Sequence, residues 1–117
     1  EDMPTDRDER FLIAELIREQ VMLLTHEEVP YAVAVEVEQM EEVASGGVSI
    51  HANITVEKDS QKGILVGHQG QMIKTIGMQA RQAISQMLHC PAHVRLFVRV
   101  RRNWKEHPGT LRDLGFR

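Results

Sequence analysis

At 117 residues the chain has the length of one domain, long enough to bury roughly 60–70 % of its unfolded surface without disulfide or metal staples. Its 42 % hydrophobic and 26 % charged residues are ordinary for a globular domain, and with 4 % aromatic residues the core must be aliphatic and Met-rich. The net charge of −3 argues weakly against nucleic acid until it is split: residues 1–57 carry three Arg and no Lys against 14 acids (−11), whereas residues 58–117 carry 11 Lys/Arg against three acids (+8).

Residues 6–25 read as a helix. Asp6 followed by Glu9 resembles a capping box after Pro4 and Thr5, and Ile13, Leu16, Ile17, Val21 and Leu24 fall on one stripe. Glu27-Glu28-Val29-Pro30 ends it, because proline disfavours helix at the residue before it. Alternation follows, with Val33, Val35 and Val37 on one strand face and Ala34, Glu36 and Glu38 on the other. Ser45-Gly46-Gly47 marks a turn into a second strand whose Val48, Ile50, Ala52, Ile54 and Val56 point inward. The short connection predicts an antiparallel hairpin, and Asp59-Ser60 reads as the next turn.

A short helical stretch over 61–66 ends in Ile64-Leu65-Val66 and is interrupted by Gly67-His68-Gln69-Gly70. A long helix is expected over 71–89, with Met72, Ile73, Ile76, Ala80, Ala83, Ile84, Met87 and Leu88 inward, closed by Pro91. The last strand, 93–101, turns Val94, Leu96, Val98 and Val100 inward and Arg95, Phe97, Arg99 and Arg101 outward. A tail with Trp104, Leu111, Leu114 and Phe116 reads as a short helical turn. The order α-β-β-α-α-β predicts an α+β domain, a three-stranded mixed sheet packed on helices, with residues 1–5 as an extension and 102–117 as a tail helix. The crossover from the second strand to the third is long enough for parallel pairing.

The segment that carries chemistry is Gly67-His68-Gln69-Gly70. Two glycines between helices let the backbone turn sharply and lie close to another backbone. The turn opens the N-terminus of the next helix, where unpaired amides and the positive dipole end favour phosphate oxygens. Ile64, Val66, Ile73 and Ile76 are placed to line a groove for unstacked bases, and Lys62 and Lys74 flank it on the basic half. A bare Gly-x-x-Gly is a weak signal; its place after a hairpin and between helices strengthens it. An ordinary helix corner with Gly67 as C-cap is the plain alternative. Gly77 in mid-helix costs roughly 1 kcal/mol relative to Ala, most simply explained by close packing of the helix on the sheet. Arg81, Arg99 and Arg101 are further candidates for phosphate contact; Arg95, Arg99 and Arg101 share one strand face with Phe97 between them.

The run Ile64-Leu65-Val66-Gly67-His68-Gln69-Gly70-Gln71-Met72-Ile73-Lys74-Thr75-Ile76-Gly77-Met78-Gln79-Ala80-Arg81 resembles the type II KH segment of the Era family of bacterial GTPases. Thr5-Asp6-Arg7 through Arg10-Phe11, Glu15 to Glu19, Glu28-Val29-Pro30-Tyr31, Trp104 and Leu111-Arg112-Asp113-Leu114-Gly115-Phe116 are similar to other parts of the same domain, so the resemblance spans nearly the whole chain. It implies a type II KH fold over 1–117 that clamps about four nucleotides of single-stranded RNA. The RNA implied is the 3′ end of small-subunit rRNA during assembly of the small ribosomal subunit, in the cytoplasm. Gly67, His68, Gln69, Gly70 and Gln71 would sit at the backbone, with Lys62 and Lys74 on phosphates.

In that family a GTP-binding domain precedes the KH domain, and some peripheral membrane association is implied by resemblance alone. The chain opens on Glu1-Asp2 and contains no Gly-x-x-x-x-Gly-Lys-Ser/Thr phosphate loop, so it reads as a C-terminal piece that neither binds nor hydrolyses GTP. The positions where relatives often carry Lys hold His68, Gln69, Gln71 and Met72, which shifts phosphate contact toward backbone amides, Lys62, Lys74 and the arginines, and gives His68 a pH-dependent role.

Other chemistry is poorly supported. His89, Cys90 and His93 are too close together to build a tetrahedral metal site without a second cluster, and no carboxylate or Ser/His/Asp framework suggests catalysis. No cofactor, metal or DNA partner is expected. The single cysteine precludes an internal disulfide and favours a reducing compartment, and no apolar run approaches the roughly 20 residues of a membrane span. The readings that compete with RNA binding in the Era manner are a protein-interaction module that docks through the acidic first half, and a KH domain of another ribosome-associated protein.

Overall fold

The computed structural model describes residues 6–25 and 33–102; the segments around Pro30 and beyond Arg102, with Trp104 and the expected tail helix, lie outside the described residues. The elements are α1 (Asp6–Leu24), β1 (Ala34–Glu42), β2 (Val48–Val56), α2 (Asp59–Val66), a single 3₁₀ turn (His68–Gly70), α3 (Gln71–Leu88) and β3 (Ala92–Val100). The strands lie in the order β1-β2-β3, with β1 antiparallel and β3 parallel to β2. This is the α+β mixed sheet expected from the alternation and the long crossover. None of the described helices is long and apolar enough to cross a membrane.

The helices cover one face of the sheet. Ile13, Ile17 and Val21 of α1 and Ile76, Ala80 and Ile84 of α3 meet Ile50, Ala52, Ile54 and Val56 of β2, and all are fully buried. Burying an aliphatic side chain contributes roughly 1.5–3 kcal/mol, so these residues supply the main driving force. On the outer side of the central strand Asn53 and Thr55 are also buried, whereas Ser49 and His51 are half-buried. Asn53 donates from Nδ2 to Glu38 Oε1 (3.2 Å), and Thr55 Oγ1 accepts from Arg99 Nε (3.0 Å), so the polar residues on its outer side are satisfied as they are covered.

Two departures from simple alternation have local causes. In β1 the pairing shifts between Val37↔Ala52 and Gln39↔His51, inserting Glu38 as a bulge. Core-side residues therefore run Val35, Val37, Met40, and Arg10 of α1 donates from Nη1 to the carbonyls of Val37 (3.3 Å) and Glu38 (3.4 Å) at the bulge. Asp59 and Ser60, expected as a turn, instead begin α2. Buried Gln61 organises that start, its Oε1 accepting the amides of Glu57 (3.0 Å) and Lys58 (2.9 Å).

Ile17→Ala should lower the unfolding free energy by about 2–5 kcal/mol, because it leaves a cavity among residues that cannot collapse. Leu23→Ala, on the exposed side of α1, should change it by less than about 0.5 kcal/mol. Urea titrations of both variants would check the contrast.

Candidate nucleic-acid interface

The corner between α2 and α3 is built by backbone conformations that ordinary side chains resist. Gly67 adopts φ 76°, ψ 178°, a region essentially restricted to glycine. A Cβ placed there would lie 2.6 Å from Met72 Cβ and 2.8 Å from its amide nitrogen. Gln69 (φ 54°, ψ 30°) and Gly70 (φ 76°, ψ 13°) are both left-handed. The amides of Gly67 and Gly70 donate to the carbonyls of Gly63 (2.9 Å) and Gly67 (3.2 Å), and that of Gln71 to His68, so the corner closes on itself. His68 and Gln69 stand exposed at its tip, ahead of the first turn of α3, where a helix leaves its amides without internal partners.

Beside the corner, α3 and β3 diverge and leave a groove of about 310 Å³ lined by Ile73, Lys74, Gly77 and Met78, by Arg81, and by Val94 and Leu96. Among the described residues β3 is an edge strand, so one side of its backbone carries N–H and C=O groups without a sheet partner there. The floor is apolar, Lys74 and Arg81 stand on α3 at the rim, and exposed Lys62 lies on α2.

The sequence-derived candidates divide accordingly. Gly67, His68, Gln69, Gly70 and Gln71 form the corner; Ile73, Lys74 and Arg81 line the groove; Ile64, 37 % exposed, and half-buried Val66 sit on α2 just before the corner. Ile76 is a correction: it is 0 % exposed within the core and offers no groove surface, because its position on α3 faces the sheet. Arg99 lies on the sheet face opposite the helices, where it pairs with Glu36 (3.6 Å) and Thr55. Arg101 follows β3, its amide donating to Val56 O (2.8 Å).

Gly77 also departs from expectation. A Cβ there would meet only Leu96 Cδ1 at 3.8 Å, ordinary contact, so tight helix–sheet packing does not require glycine. Gly77, read from the sequence chiefly as a packing residue, lines the groove together with Met78, Val94 and Leu96, which were not among the sequence-derived candidates. The spacing of 73, 77 and 81 on one helix stripe was visible, but which strand would lie beside that stripe at the sheet edge was not.

The KH-domain family model matches residues 28–105. The chain belongs to the KH-domain family. It is 51 % identical over 116 residues to the GTPase Era of Geotalea uraniireducens and 47 % identical over 116 residues to that of Lacticaseibacillus paracasei, covering 99 % of this chain and 39 % of each relative. Two solved structures superpose with TM-scores of 0.89 at 36 % identity, over 97 % of this chain and 38 % of theirs. One is Era of Aquifex aeolicus bound to GDP·AlF₄⁻; the other is Era in complex with MgGDPNP and nucleotides 1506–1542 of 16S ribosomal RNA. The chain thus corresponds to the KH portion of Era and spans about two fifths of the length of the relatives it matches.

Gly67→Ala should destabilise the domain by at least about 1 kcal/mol, from the left-handed backbone and the collision with Met72. Gly77→Ala should stabilise it by roughly 0.5–1 kcal/mol through helix propensity. Thermal melts of the pair would separate a glycine required by backbone from one that leaves groove space.

Proposed function

We propose that this domain binds single-stranded RNA across the Gly67–Gly70 corner and the α3/β3 groove, as the KH portion of an Era-type GTPase that engages the 3′ end of small-subunit rRNA during ribosome assembly. The carrying observation is the continuity of an exposed glycine corner at the start of α3 with an apolar groove that has cations on its rim and an edge strand along one wall. Phosphates fit the corner because the glycines let a sugar–phosphate chain approach closely and the first turn of α3 beyond Gln71 leaves amides without internal partners, whereas the amides of Gly67, Gly70 and Gln71 are themselves bonded within the corner. Bases fit the groove, where Ile73 and Leu96 offer apolar contact and β3 backbone groups offer hydrogen bonds to base edges. Lys62, Lys74 and Arg81 supply the charge.

The relatives support this reading by what one of them holds, a 16S rRNA segment on Era. The small ribosomal subunit is the assembly that would present such RNA. A GTP-binding domain would lie in the part of the relatives that this chain does not span; the 117 residues hold no Gly-x-x-x-x-Gly-Lys-Ser/Thr run.

Gly70→Asp is the decisive variant. Gly70 is left-handed, a conformation Asp tolerates better than most residues, and its Cβ would point into open space. The fold should survive while a carboxylate occupies the phosphate position. Binding of the 1506–1542 segment should fall at least about 100-fold, with an unchanged circular dichroism spectrum; retained affinity in the folded variant would refute the site. The wild-type log–log salt dependence should have a slope near −0.7 per phosphate contacted.

His68 gives a separate outcome. It is exposed at the tip of the corner, where its ring N–H can donate to a phosphate oxygen. His68→Ala should weaken binding of the same segment and leave the circular dichroism spectrum unchanged.

A further inference from the structure

The groove uses only one side of β3. Successive strand residues alternate between faces, so Arg95 and Phe97 emerge on the open side of the sheet, opposite the helices. Phe97 is 52 % exposed there. Its ring centroid lies 6.2 Å from that of His51 on β2, at an interplanar angle of 54°. Arg95 pairs with His51 in the strand register, and His93 with Ser49. Two planar side chains and a cation therefore share one patch of open sheet.

The charges on this face are divided by strand. Glu36, Glu38 and Glu41 stand on β1. Glu36 is engaged by Arg99 at 3.6 Å, and Glu38 accepts from Asn53 at 3.2 Å. β3 contributes His93, Arg95 and Arg99 and no acid, and Arg95 has no ion-pair partner among the described residues. A polyanion is favoured along β3 and disfavoured toward β1. Planar groups for bases beside an uncommitted guanidinium for phosphate make the combination by which single strands are held without strong sequence preference.

We propose that the open sheet face at Phe97, His51 and Arg95 is a second single-stranded RNA subsite, occupied by nucleotides that leave the α3/β3 groove and pass around the β3 edge. This rests on the groove reading above, since Leu96 in the groove and Phe97 on the open face are consecutive residues of one edge strand, and a strand emerging at that edge meets the rings next. Phe97 and His51 stack on bases, and Arg95 neutralises a phosphate.

The test compares RNA oligomers of about 5 and 12 nucleotides tiled across the 1506–1542 segment, because the corner and groove alone accommodate about four nucleotides. Binding to the 117-residue chain is read by fluorescence anisotropy. Phe97→Ala should weaken the 12-mer roughly tenfold, the scale of one lost base–aromatic stack, and leave the 5-mer within about twofold. Arg95→Ala should lower the 12-mer salt slope by about 0.7 without changing that of the 5-mer. Unchanged 12-mer affinity in Phe97→Ala overturns the subsite, including where that face proves to hold a protein instead. If Gly70→Asp removes both oligomers while Phe97→Ala affects neither, the groove stands and the sheet subsite falls. If the wild type binds neither length, both fall together.

Discussion

The approach of Gly67 to Met72 is the constraint on which the surface of this domain depends. With a Cβ position only 2.6 Å from the Met72 side chain, the chain can leave α2 and enter α3 in four intervening residues only because position 67 lacks a side chain and accepts a backbone conformation closed to others. A longer or looser connection would let α3 start elsewhere. Its first-turn amides would then no longer open at the same corner as the groove. The strained conformation continues at Gln69, a left-handed residue with a side chain, held by the bonds that tie Gly67, Gly70 and Gln71 to carbonyls one turn back. The packing of Leu65 and Ile76 into the core on either side keeps that loop fixed.

The second organising element is the edge position of β3. A parallel strand is normally covered on both faces, yet here β3 has α3 beside it on one face and open sheet on the other. Its inward residues Val94, Leu96, Val98 and Val100 are accordingly only half-buried, in contrast to the fully covered residues of β2. An exposed edge ordinarily invites pairing with another chain. Along this edge the arginines discourage another basic strand, and the groove on one side offers a site for a nucleic acid whose base edges can use the free backbone groups. Incomplete coverage that would be a liability in a purely structural sheet is what creates room for a ligand.

Much of this was legible from residue order. The 3.6-residue stripe of Ile13, Ile17 and Val21 and the alternation from Val48 to Val56 specified helix and central strand because burial on one side dictates both periods. The Gly67–Gly70 corner was legible because glycine marks backbone that needs it. Three features were not. Ile76 shares its helical spacing with Ile73, and only the tilt of α3 against the sheet decides which of them faces the groove. The start of α2 depends on the buried Gln61 side chain turning back to two amides, a contact a polar residue does not announce. Gly77 looked like a packing requirement by its helix-breaking cost, whereas open space beside Leu96 assigns it to the groove wall. In β1, the three-residue step from Val37 to Met40 did carry the bulge, for a reader who trusted the interruption over the alternation.

Charge explains how a chain of net −3 can present a surface suited to a polyanion. β2 carries no Lys, Arg, Asp or Glu across Val48–Val56, so it separates the glutamates of β1 from the arginines of β3 by two strand spacings, about 10 Å. That is about one Debye length at 0.1 M salt, far enough for solvent and ions to weaken the repulsion a phosphate on β3 feels from β1. Where the halves do meet, Arg99 reaches across Thr55 to Glu36, a partly exposed pair whose own contribution to stability is small but which cancels the acid nearest to Phe97. The corner lies on the basic half of the sequence, with Lys62 and Lys74 on its two helices. An approaching strand therefore experiences a local field opposite in sign to the net charge, and the acidic half disfavours docking from the wrong side. Orientation of RNA on this domain follows from the segregation of charge along the sequence, carried into space by an uncharged central strand.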